Sequence, residues 1–445
     1  MNDDAASRLG AGRAVILAAR RLTMARRCTF LAALFVGVAW GQTPILTAAA
    51  EDVVAEPPAV RMNESFVVAA DATSRPWRIG SARLATLEAL PKDVSLWLLR
   101  AAGDEHRVPC QVDRDERGGA RLWWLLDRRR DGDGPWRLEL RGGRGEARVP
   151  LPLEIQQDDR RLVVRRGERS LLQYNWAHVT PPQPLDPRFG RSAYLHPAWT
   201  PSGRVVTDEF PPDHAHQSGV FLAYTKTRFE GREPNFWELA NRKGRVRFAK
   251  LEQAEAGSVY AQFIVRHEHV DETAPSGEKV ALRETWRVRV WNLDPTIVPA
   301  TLWDLESSLE CAGPSPLELP TYHYGGMALR GARGWGGNNA TFLTSEGKDR
   351  VAGNHSRPQW CDLSGLVEGR TAGLTLFTHP ANFRYPEPLR IHPTMPYMVY
   401  TPSHLGDWKI TPAAPHVSRY RFAAHDGPLA AEAAAQIAAD FHSRP

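Results

Sequence analysis

The chain has 445 residues, too many for one small core, and its 42% hydrophobic and 24% charged content is that of an ordinary folded protein. A formal charge of +5 suggests a polyanion partner, yet residues 1–50 hold six arginines (Arg8, Arg13, Arg20, Arg21, Arg26 and Arg27) against Asp3 and Asp4. The remaining chain has 50 basic and 49 acidic residues, a balance that argues against nucleic acid.

The first predicted element is a leader over residues 1–50. MARRCTFLAALFVGVAW, from Met24, has a charged start, an apolar run from Phe30 to Trp40, and then Ala48-Ala49-Ala50 before Glu51. This is the signal-peptide pattern, and the run is shorter than the ~20 residues a membrane span needs. The reading is cleavage and export, to the periplasm or beyond; an uncleaved leader acting as a membrane anchor is the alternative. Met24 competes with Met1 as the start. Past the leader, Cys110, Cys311 and Cys361 remain. Three unpaired cysteines are expected, or one bridge and one free thiol, and no spacing suits zinc.

Short strand patterns broken by Gly, Pro, Asp and Asn follow: SLWLLRAA (95–102), RLWWLL (121–126), RLVVRR (161–166), VYAQFIVRHEHV (259–270), ETWRVRVWNL (284–293) and GLTLFT (373–378). Only PLAAEAAAQIAADF (428–441) reads as helix. The predicted fold is all-β. It has a small sandwich at 60–155, a large antiparallel two-sheet domain at 160–445, and a short C-terminal helix.

Five clusters in the large domain carry candidate chemistry. DEFPPDHAHQSG supplies Asp213, His214, His216 and Gln217; NFWE supplies Trp237 and Glu238. RHEHV sets His267 and His269 on a strand face shared with Phe263 and Val265, where core histidines are expected. TYHYGGMALRG supplies Tyr322, His323, Gly325, Gly326 and Arg330; the last cluster joins Trp360 and Asp362 to His379, Asn382 and Arg384. A His-x-His pair on extended chain points both rings to one side, so a divalent metal at His214 and His216 is one reading. A metal-free acid/base site is the one preferred. Among the 15 tryptophans, Trp123, Trp124, Trp286 and Trp291 sit in strand patterns and are expected in the core. Trp199, Trp237, Trp335 and Trp360 lie beside turns and are candidate platforms for a ligand. No Walker loop, GxSxG elbow or HExxH helix appears.

In this order the motifs resemble those of a family of secreted bacterial proteins labelled PmoA-like, or methane oxygenase PmoA. The resemblance rests on HPAWTPSG (196–203), DHAHQSG (213–219), Phe236-Trp237, Tyr324-Gly325-Gly326 with Arg330, the W-x-D-x-S-G turn from Trp360 to Gly365, and His379 to Asn382. It spans roughly residues 162–425. Relatives commonly carry His-Arg where this chain has Gln217-Ser218, which removes one potential metal ligand. The label implies a metal-dependent oxygenase, but a membrane monooxygenase subunit needs several spans, and none follows the leader. The β pattern with scattered His, Glu and Trp is similar instead to the galactose-mutarotase-like super-sandwich of carbohydrate enzymes.

The combined expectation is an exported carbohydrate-active protein, a hydrolase, lyase or isomerase, working on a sugar or glycoside by His/carboxylate acid-base chemistry without a cofactor. Asp213, His214, His216, Glu238 and His323 are the candidate catalytic residues. Trp237, Arg330, Trp360, Asp362, His379, Asn382 and Arg384 are the candidate substrate contacts. The second reading is a glycan-binding module without turnover. The partner is a small molecule or glycan, with no membrane contact beyond the leader.

Overall fold

The computed structural model describes residues 59–70, 75–85, 94–100, 104–114, 119–143, 151–336 and 339–444. The leader, its start and Cys28 lie outside them. The described residues form one compact unit.

The small sandwich has two antiparallel sheets. One orders Ser65–Val68, Trp136–Gly142, Val94–Leu99 and Glu105–Val108; the other orders Trp77–Arg83, Ala120–Asp127 and Cys110–Arg114. Alternation places Phe66, Leu96, Leu98, Leu122, Trp124, Leu138 and Leu140 between them. Gly80 makes room for the indole: a Cβ there would lie 2.2 Å from Trp124 Cε2.

The large part is two eight-stranded antiparallel sheets. The first runs Leu389–Ile391, Tyr397–Tyr400, Gly326–Arg330, Val220–Ala223, Tyr194–Ala198, Arg169–Asn175, Arg161–Arg166 and Glu154–Gln157. The strand at 154–157 therefore belongs to the large part. The second sheet runs Gly244–Ala256, Tyr260–Asp271, Lys279–Trp291, Ala300–Cys311, His416–Asp426, Arg370–Thr378, Trp360–Val367 and Ala340–Thr344. Their facing sides share one core that includes Leu172, Phe221, Met327, Val399, Trp286, Val288, Leu305 and Leu374. Each such side chain contributes about 1.5–3 kcal/mol by leaving water.

The second sheet is covered on its other face as well. Trp77, Ile79 and Leu125 of the small sandwich pack there with Trp291, Leu302 and Phe377, and so do Ala434, Ile437 and Phe441 of the helix Ala431–His442. Asp440 fixes that helix. It is 3% exposed and meets Arg75 (3.3 Å), Arg421 (2.7 Å) and Arg444 (2.5 Å). His267 and His269 are fully buried against Glu284, which also accepts from Trp286 and Ser307. Cys110, Cys311 and Cys361 are all unpaired, and only Cys361 is fully buried. Among the described residues no helix is long and apolar enough to cross a membrane.

Candidate functional site

The loop before Val220–Ala223 is shaped by two successive turns: His214 N–H donates to Pro211 O (3.1 Å) and Gln217 N–H to His214 O (2.9 Å). Gly219 then returns the chain to the sheet at φ +54°, where a Cβ would sit 1.9 Å from Leu195 O. Only glycine passes there. The neighbouring strand ends at Arg330, whose guanidinium makes a forked contact with Asp213 (3.0 and 3.2 Å) and donates to Gln217 Oε1 (2.9 Å). Gln217 thus supplies an acceptor to a buried cation, and Asp213 is held in an ion pair. From below, buried Arg191 donates to His216 O (3.0 Å).

Three imidazoles meet above this clamp. The His214 ring lies 5.4 Å from that of His216 and 5.7 Å from that of His392. Burial pushes His216 down to about 3, with His214, Arg191 and Arg330 adding to it. Burial likewise holds His392 at about 4, helped by His214, Arg390 and Arg330. His214 is lowered too, by burial first and against the pull of Asp213. All three are lowered, which favours their uncharged forms at neutral pH.

Trp237 lies beneath. Asn235 Oδ1 accepts from the N–H groups of Trp237 (3.0 Å) and Glu238 (2.9 Å), and this turn folds the indole inward onto Phe221, Tyr324 and Tyr397. His216 touches its edge at 6.2 Å. On the far side, Gly326 enters the sheet at φ +137°, where a Cβ would meet Tyr400 O at 2.2 Å. The half-buried run Tyr322, His323 and Tyr324 precedes it at the rim, with His323 4.5 Å from each tyrosine ring. Arg390 lies over the Tyr324 ring and donates to its hydroxyl (3.2 Å). Beyond stand His355 and His404, with rings 4.2 Å apart; His355 lies 6.5 Å from His323.

Trp237 Nε1, Tyr397 Oη and the Nε atoms of Arg330 and Arg390 are buried without a hydrogen-bond partner, and His214 Nδ1 lies 3.9 Å from Asp213 Oδ2. Buried polar groups without partners are costly, and others of this kind occur in the core, at Trp124 Nε1 and Trp303 Nε1.

The fold brings together Asp213, His214, His216, Trp237, Arg330 and His323. Glu238 stands near Tyr322, whose hydroxyl is raised by burial and then by the Glu238 charge. It is exposed, however, and its Oε2 accepts from Asn235 (3.1 Å) and Asn241 (2.7 Å). Trp237 is only 3% exposed, so it underlies the site instead of facing a ligand. The remaining expected contacts lie elsewhere. Trp360 packs on Phe377 in the layer under the C-terminal helix. Asp362 binds Thr375 and His425, each at 2.8 Å. His379 contacts Phe441 and Arg444 O of the C-terminal segment. Asn382 joins Thr378, Glu387 and the Arg419 backbone, and Arg384 caps the carbonyls of Pro402 and Gly406. These five build the scaffold.

His355, His392, His404, Arg390 and Tyr397 escaped the sequence reading. The His392-Pro393 step, of the same kind as His196-Pro197 and His379-Pro380, was the one available hint. Among the described residues no group of three His, Cys, Asp or Glu is placed to hold a metal ion. Two shallow cavities, of about 390 and 480 Å³, contain none of these residues.

Fold and cluster define a two-sheet antiparallel β protein with a histidine-, tyrosine- and arginine-rich site at one end of its first large sheet. Residues 161–439, more than half of the chain, match the model of a family of unknown function, DUF6807, and the chain belongs to that family. The match covers the whole cluster and omits the small sandwich. No curated protein matches the chain.

Proposed function

We propose that the protein is exported and acts on a sugar or glycoside at this cluster, with neutral His214 as the base. The observation that carries the reading is the half-buried rim of imidazoles and phenols, His214, Tyr322, His323 and Tyr324, beside the Asp213–Arg330 pair. The hydroxyls of a polyol pair with such imidazole nitrogens and phenol oxygens, while Tyr322 and Tyr324 offer aromatic surface for its C–H face. His214 accepts a proton from carbon or hydroxyl, and the Asp213–Arg330 pair fixes the loop that carries it. The residues suit proton abstraction, as in an isomerase or lyase, better than glycoside hydrolysis. Hydrolysis needs two free carboxyl groups about 5–9.5 Å apart, and both carboxylates of the cluster are already engaged.

That engagement also favours a second reading, recognition of a glycan without turnover. The two separate in one experiment. Solvent-deuterium exchange into mono- and oligosaccharides and glycan affinity are measured for wild type, His214→Ala, His216→Ala and Glu238→Gln, with metal analysis of the purified protein. Exchange abolished in His214→Ala with affinity retained supports catalysis. Binding without exchange in wild type moves the answer to a recognition module. Stoichiometric metal lost on His214→Ala would replace acid-base chemistry with metal chemistry at His214 and His216.

A further inference from the structure

Of the four turn-associated tryptophans, Trp237, Trp335 and Trp360 are buried, and Trp199 alone stays half exposed. It lines the cavity of about 390 Å³ with residues of the strands Glu154–Gln157, Arg161–Arg166 and Arg169–Asn175. That volume falls within the range of small-ligand sites. Leu162 and Val164 point into the core, so the alternate residues Arg161, Val163 and Arg165 face outward and floor a trough on the outer side of the first sheet. The trough lies four strand intervals from the strand that ends in Arg330, about 20 Å at ~4.8 Å per strand.

We infer that this trough is a second saccharide-binding site, independent of the histidine cluster and of the function proposed for it. Its polar groups are arranged for hydroxyls. Gln173, 8% exposed, donates its amide to Asn175 Oδ1 (2.9 Å), which leaves its carbonyl oxygen to accept. Gln156 Oε1 accepts from Arg165 (3.0 Å), which turns its amide N–H groups to donation. Arg165 Nε is buried with no partner within the protein. Exposed Gln157 adds another amide, and Trp199 supplies the flat apolar face that a pyranose presents its C–H groups to. Each arginine already has a carboxylate near it, Asp158 for Arg161 (3.4 Å) and Glu168 for Arg165 (3.7 Å). The charge is therefore too well balanced for a polyanion. Val163 and Trp199 are the only apolar residues of the lining, too few for a lipid.

The test is binding to an array of neutral and uronate-bearing oligosaccharides by wild type, Trp199→Ala, the double variant Gln157→Ala with Arg161→Ala, and His214→Ala. Loss of a planar aromatic contact is expected to weaken binding about tenfold. The double variant, exposed at both positions, is expected to weaken it without changing the fold, and so decides the matter if Trp199→Ala does not fold. His214→Ala should retain the part of the binding that the double variant loses, whatever its effect at the cluster. Stronger loss for uronates than for neutral sugars in the double variant assigns Arg161 to a carboxylate; equal loss assigns a neutral glycan. Binding unchanged in the double variant, binding abolished only in His214→Ala, or no binding by wild type would each overturn the inference.

Discussion

Single atoms decide whether the loop of the histidine cluster keeps its shape. Gly219→Ala forces a methyl group into Leu195 O at a positive φ, and a strained backbone of this kind costs on the order of 1–3 kcal/mol. The expected outcome is a lower melting temperature together with weaker sugar binding, read by calorimetry and titration on one preparation. Arg330→Lys is expected to do the reverse. It keeps a buried cation but loses the fork that holds both Asp213 and Gln217, so activity should fall much further than stability. Equal losses in both measurements would mean that Arg330 serves the fold alone. At this scale the sequence was informative where polar residues crowd a turn. The loop at 213–217 and the Tyr-Gly-Gly step both reach the cluster. It was silent on His355, His404 and Arg390, which are isolated in the chain and acquire meaning only through neighbours distant in sequence.

The C-terminal helix is short, but it is tied in by charge. Burial alone would raise Asp440, yet Arg444, Arg421 and Arg75 together hold it below its ordinary value of 3.8. A carboxylate lowered in this way stabilises the fold above about pH 4, and that support is lost as the pH falls further. Asp440→Asn leaves three guanidinium groups facing a neutral amide, and disrupting a buried pair costs about 3–5 kcal/mol. Chemical denaturation at neutral pH should show a loss of that size, shrinking towards acid pH. The alanine-rich pattern at 428–441 foretold this helix closely, because a period of 3.6 is a local property. What it covers is not local. Trp360 and His379 read like ligand contacts beside polar turns, and the helix converts their surroundings into interior.

For the whole molecule, acid pH is the main stress. Burial is the leading cause that holds His196, His379, His392 and His416 at about 4 and His216 at about 3, with neighbouring cations adding to it at most of them. An unfolded chain regains the ordinary value near 6.5 and binds protons first. Stability is therefore complete above about pH 6.5 and declines as the pH drops towards 4. A melting temperature that is flat between pH 7 and 5 would show that these imidazoles are more open to water than the fold implies. The all-β character and the strand positions were legible because alternation and turns repeat every few residues. The order of strands within the two sheets was not, since it depends on which distant edges find each other.

That order has a consequence for how the protein is made. Four strands of the second sheet, from Gly244 to Cys311, are consecutive both in the chain and in space, and can pair as soon as each emerges. The cluster has no such head start. Its loop at 213–217 must wait for Arg330, then for Arg390 and His392, and finally for Tyr397 and His404, in about the last eighth of the polypeptide. Contacts of such long sequence separation form slowly. Chains interrupted before residue 390 should thus resist proteolysis across residues 244–311 and yet show no exchange activity at the histidine cluster, so that this site is absent rather than partly active in a truncated product. Competence arrives only with a finished chain.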